Sequence, residues 1–143
     1  MRISLLRFAT MLLAALAASA ATPVAAEQVL CHYTYGGETK TLAAAPVASP
    51  YAVKAIDIGS FFHFRVVFQN QPTDSASIKI YTYADRDDAP LLIHLATFPY
   101  PLPPHLGARY GFSGLHSVHE PARDGELQYW CELTPRAERG GQR

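Results

Sequence analysis

Two cysteines constrain this chain more than any other feature. Cys31 and Cys131 stand near its opposite ends, and a bond between them would enclose almost everything else. Cys131 lies in residues 126–133, Glu-Leu-Gln-Tyr-Trp-Cys-Glu-Leu, where Leu127, Tyr129, Cys131 and Leu133 share one face of an alternating run. Alternation with a period of two marks a half-buried β-strand. Cys31 sits in a matching run, residues 28–35, together with Val29, Tyr33 and Tyr35. Both sulfurs thus fall on the apolar parity of their strands, which predicts a buried disulfide joining the first strand to the last. No Cys-x-x-Cys spacing is present, so a structural bond is favoured over a redox or metal-thiolate pair.

A structural disulfide implies an oxidising compartment, and the N-terminal residues agree. Arg2 and Arg7 are followed by an apolar run over 8–21, then Pro23 and the small residues Val24-Ala25-Ala26. Charged, apolar, then small is the order of a secretory signal. Cleavage is expected after Ala26, with 18–20 as the second choice. The apolar run is shorter than the roughly 20 residues of a membrane span, so no span is expected after cleavage. The expected organisation is a signal over 1–26, one domain over 27–134, and a flexible Arg- and Gly-rich tail over 135–143. The expected location is periplasmic or secreted. Once Arg2 and Arg7 are removed, acidic residues slightly outnumber basic ones and no basic cluster remains. A nucleic-acid surface is therefore not expected.

Between the cysteines the chain reads as short β-segments punctuated by turns. Gly36-Gly37 supplies the two positive-φ positions of a hairpin turn. Residues 51–58 suggest a strand, and 43–50, with two prolines, an irregular edge. In 61–68, Phe62, Phe64, Val66 and Phe68 oppose His63 and Arg65. In 76–83, Ile78 and Ile80 oppose Lys79, Tyr81 and Tyr83. Residues 91–98 pair Leu91, Ile93 and Leu95 against Leu92, His94 and Ala96. Pro99, Pro101, Pro103 and Pro104 then form a stiff connector suited to crossing between sheets. No amphipathic helix is apparent. The fold expected is all-β, a small single-domain antiparallel sandwich or partly open barrel. Its core should hold Val29, Phe62, Phe64, Val66, Ile78, Ile80, Ile93, Leu95, Leu127 and Tyr129.

Catalysis finds little support. There is no Gly-x-Ser-x-Gly elbow, no His-Glu-x-x-His and no phosphate-cradling glycine loop. A hydrolase-like activity would need an unrecognised arrangement. Asp57, alone in an apolar stretch, is expected to accept backbone hydrogen bonds at a strand end. The histidines offer more. Met1 and Met11 lie in the signal and the cysteines are paired, so imidazole is the remaining soft-to-borderline donor, suited to copper or zinc. The candidate ligands are His116, His119, His32, His63 and His94. On a regular strand His116 and His119, three apart, face opposite sides. Trp130, Tyr81 and Tyr83 project from polar faces and form a candidate partner surface. The reading that emerges is an exported, non-enzymatic binding module, with an envelope protein as its expected partner. A histidine-based copper or zinc protein is the alternative.

Overall fold

The computed structural model describes residues 26–104 and 109–135. Outside the described residues lie the expected signal over 1–26 (all but Ala26), His105, and the expected tail over 135–143 (all but Pro135). The strands are β1 (Glu27–Tyr35), β2 (Glu38–Ala44), β3 (Pro46–Val47), β4 (Ile56–Ile58), β5 (Phe62–Gln69), β6 (Ser77–Ala84), β7 (Leu91–Pro99), β8 (His116–Glu120) and β9 (Gly125–Pro135). They form two sheets. One has the order β2-β1-β9-β8; the other runs β3-β5-β6-β7, with β4 also paired to β5. The all-β expectation holds, and the second sheet is mixed because β3 meets β5 in parallel. No helix among the described residues is long and apolar enough to cross a membrane.

The disulfide is present and ties the terminal strands within one sheet. Cys31 stands directly opposite Cys131 in the β1–β9 ladder, with Cα atoms 4.1 Å apart and both side chains fully buried. That closeness belongs to a pair that exchanges no backbone hydrogen bonds. The backbone of Cys131 turns the other way: its carbonyl accepts from Phe112 N at 3.0 Å, and its N–H donates to Ser113 Oγ at 2.7 Å. Residues 111–113 therefore cover the edge of β9 beyond the end of β8. Gly111 makes this approach possible. Its φ is 58°, and a Cβ there would stand 2.1 Å from the Cys131 oxygen.

The core lies between the sheets. Val29, Cys31, Leu127 and Tyr129 meet Phe62, Phe64, Val66, Ile78 and Ile80, as their parity predicts. Leu95 is the exception, at 46% exposed. The β6–β7 register shifts at Thr82 and Tyr83, so that His94 faces Thr82 while Leu92 faces Tyr83. Ile93 is the extra residue. One inserted residue reverses every side chain beyond it, so Ala96 and Phe98 pack on the core and Leu95 turns outward. Ile93 still packs partly buried against the core.

The stretch expected to be a strand over 51–58 is mostly not one. Pro50 opens a 3-10 turn, Pro50–Ala52, and pairing begins only at Ile56. Arg65 holds this segment by donating Nε to the Val53 carbonyl at 2.8 Å and Nη2 to the Pro50 carbonyl at 2.5 Å. The irregular edge expected over 43–50 is partly ordered: β2 runs to Ala44 and β3 adds a two-residue pairing. After β7, the chain crosses from the five-stranded sheet to β8 in the four-stranded one.

Candidate functional site

Side chains on the outer surface of the five-stranded sheet form connected rows. Tyr81 is registered with Arg65 on β5 and with Leu95 on β7. Tyr83 is registered with His63 on β5 and Leu92 on β7. The rings of Tyr81 and Tyr83 lie 6.1 Å apart and within 6° of parallel, and the Arg65 guanidinium stands 5.0 Å from the Tyr81 ring. Next to them is a hollow of about 420 Å³, lined by Tyr51, Val53, His63, Arg65, Tyr83 and Pro90 among others. Tyr51 is 91% exposed on its rim.

This surface ends at β7, which among the described residues is an edge strand paired on one side only. The Tyr100 N–H donates to the Ala76 carbonyl. Hydrogen-bonded pairs alternate along an antiparallel ladder, so Phe98, Ala96 and His94 bond β6 in turn. Leu95 and Thr97 therefore direct their N–H and C=O groups to the open side. Leu91, Leu92 and Leu95 are three of the five large exposed apolar side chains among the described residues. Leu91–Pro99 contains no Asp, Glu, Lys or Arg. Long edge strands are usually blunted by charge, bulge or proline; here Pro90 and Pro99 bracket a bulged but uncharged and open centre.

His63 anchors one end of the outer surface. Its Nδ1 meets Asp57 Oδ1 at 2.7 Å and its Nε2 meets Asp85 Oδ1 at 3.0 Å. Both nitrogens can donate only when the ring is protonated. Burial pulls its pKa down, but the hydrogen bonds and charges of Asp57 and Asp85 outweigh this and raise it. Asp57 thus serves His63, where the sequence suggested a backbone role. Nearby, the Glu120 side chain is fully buried and receives the Ala122 and Arg123 N–H groups and the Arg86 guanidinium. Burial alone would lift its carboxyl pKa; these donors hold it below the ordinary carboxylate range. Arg123 also donates to the Asp85 carbonyl, joining the two clusters.

The other candidate residues are spread over both sheets. His32 lies on the four-stranded sheet, between Thr41 at 3.0 Å and Glu132 at 2.8 Å, and stacks on Trp130 with ring centres 4.1 Å apart. Trp130 is therefore on a different sheet from Tyr81 and Tyr83, and the three do not share one surface. His32, His63 and His94 do not converge either, because β1 is in the other sheet and β6 separates β5 from β7. His94, expected on a polar face, is turned by the bulge toward the space between the sheets. There its Nε2 meets the hydroxyl of fully buried Tyr129 at 2.7 Å. Burial and the neighbouring His116 lower the His94 pKa. His116 stacks parallel on Tyr129 and donates Nε2–H to the Ser113 carbonyl at 2.9 Å. His119 is exposed. Among the described residues there is no cluster of three or more His, Cys, Asp or Glu side chains able to hold a metal ion.

No known protein family, curated protein or solved structure matches this chain. The exposed apolar edge at β7 is not legible from strand parity, which places Leu95 in the core. The available signal was the nine-residue run without a formal charge. The Asp57–His63–Asp85 and Arg86–Glu120–Arg123 groupings had no local signal, because each gathers residues from separate parts of the chain.

Proposed function

We propose that this protein is an exported, non-enzymatic interaction module that takes an extended segment of a partner polypeptide along β7. The carrying observation is the open edge: uncharged, with backbone groups at Leu95 and Thr97 that no described residue pairs, and carrying the exposed Leu91, Leu92 and Leu95. An added strand would complete main-chain hydrogen bonds, and its alternate side chains would lie beside Leu92, Leu95, Tyr81 and Tyr83. That is the physical basis of strand addition. The hollow beside Tyr83 would accept a bulkier side chain. The disulfide suits an oxidising compartment, and a periplasmic setting gives the partner class as an envelope protein, in assembly or solute uptake.

Selection from a library of displayed nine-residue peptides tests this reading. Enriched peptides should alternate apolar residues and should perturb the amide resonances of Leu95 and Thr97. Thr97→Pro removes one outward N–H without breaking a bond to β6, and it should abolish their binding. Peptides that bind Thr97→Pro as well as the parent would overturn the proposal, as would an absence of enrichment. If β7 instead pairs with a second copy, sedimentation would show a concentration-dependent dimer that Thr97→Pro dissolves, and the heterologous partner would be abandoned.

A further inference from the structure

Strands β7 and β8, each at the end of its sheet among the described residues, approach one another and hold a second group of residues that strand docking does not use. His94 projects inward from β7 because of the bulge, and His116 projects inward from β8. Their ring centres are 5.2 Å apart, with the ring planes tilted by 57°. Two imidazoles that share one ion at an N–metal distance of 2.0–2.1 Å and a tetrahedral angle place their ring centres about 5.2 Å apart. The observed ring separation matches that value.

We propose that His94 and His116 bind one divalent transition-metal ion of the imidazole-seeking class, copper(II) or zinc(II), through their Nδ1 atoms. The Nε2 positions are already engaged in the way metal-bound histidines require. His116 Nε2–H donates to the Ser113 carbonyl, which leaves the Nδ1 lone pair available. His94 Nε2 is held by the Tyr129 hydroxyl, which can accept its N–H when Nδ1 is the ligand. Such outer partners fix the tautomer and the orientation of a ligating ring. Ser113 is itself positioned by its bond to the Cys131 N–H, so the disulfide-bearing strand supports the geometry.

A further observation points to the same place. Thr82 stands directly opposite His94 in the β6–β7 ladder, is fully buried, and its Oγ1 has no hydrogen-bond partner. Buried hydroxyls are ordinarily satisfied, and a water completing the coordination of an ion at His94 would supply a partner. Both histidines are half-buried, so the ion has a route from solvent. With two protein nitrogens and the remaining positions left to water, affinity should be micromolar in order and follow copper(II) above zinc(II). This inference is independent of whether a strand adds to β7.

The test uses the oxidised protein. Zinc(II) titration followed by NMR should shift the ring resonances of His94 and His116 together, saturating at one equivalent, and leave those of His119 and His32 in place. Calorimetry with copper(II) should also give one site. His94→Gln and His116→Gln should each weaken binding by at least about tenfold, the scale expected for loss of one ligand contact, while exposed His119→Gln should bind as the parent does. The wild-type shift map stands whether or not a variant folds. The inference is overturned if neither ion binds below about 1 mM, if the shifts map to other histidines, or if both Gln variants fold and bind with parental affinity.

Discussion

Reducing the Cys31–Cys131 bond without removing any atom should cost this protein about 4.7 kcal/mol, the chain-entropy value for a closed loop of 100 residues. The structure explains why the loss should fall almost wholly on the unfolded state. β1 and β9 remain registered from Glu27 opposite Pro135 to Thr34 opposite Gln128. Gly111–Ser113 still covers Cys131 through the Phe112 N–H and Ser113 Oγ. The native strands are thus held together without the sulfur bond. A domain of this size has roughly 5–15 kcal/mol of stability in all, so the reduced form should be weakened and still folded. At about 4 °C per kcal/mol, its melting temperature should fall by roughly 15–20 °C. Urea melts of the oxidised and fully reduced proteins are the assay. The reduced protein should show a lower midpoint and a steeper denaturant dependence, because its unlinked unfolded chain exposes more surface. A loss below about 1 kcal/mol would refute the reasoning. It would mean that the unfolded chain already keeps its ends together, or that the bond strains the native pairing by nearly what it gains.

Phe64→Ala should cost about 3–5 kcal/mol in a urea melt, since Phe64 is fully buried between Tyr33 and Tyr129. Leu95→Ala should stay within about 1 kcal/mol because its side chain faces outward after the bulge; equal losses at the two positions would show the parity to be wrong. Gly111→Ala should destabilise the protein by roughly 1–3 kcal/mol, because its Cβ would collide with the Cys131 carbonyl at a positive φ. The raised pKa of His63 contributes stability that is fully present below its unfolded value and is lost as pH rises through its folded value. His63→Gln should therefore flatten the decline in stability toward alkaline pH, and an unchanged pH profile would show that the two aspartates do not stabilise the imidazolium.

Much of the sandwich was legible because alternation is local. The parity of Val29, Cys31, Phe64, Val66, Ile78, Leu127 and Tyr129 follows from which neighbours each has along its own strand, and the disulfide followed from two such parities. Gly36-Gly37 specified its hairpin in the same way, and both residues have positive φ. The failures share one cause, the intervention of residues distant in sequence. In β7, parity broke at the β6 register shift, which inverted His94 and Leu95 together. One missed bulge therefore concealed both the exposed apolar edge and the approach of His94 to His116.

The sequence by itself determined the strand-rich class, the two cysteines that bond, and the apolar face of most strands. Only the tertiary structure decided the order of strands, which of them became edges, and which side chains meet. Those depend on pairings between residues tens of positions apart. Such pairings are selected by the packing of two whole sheets, and no short window of sequence contains both members.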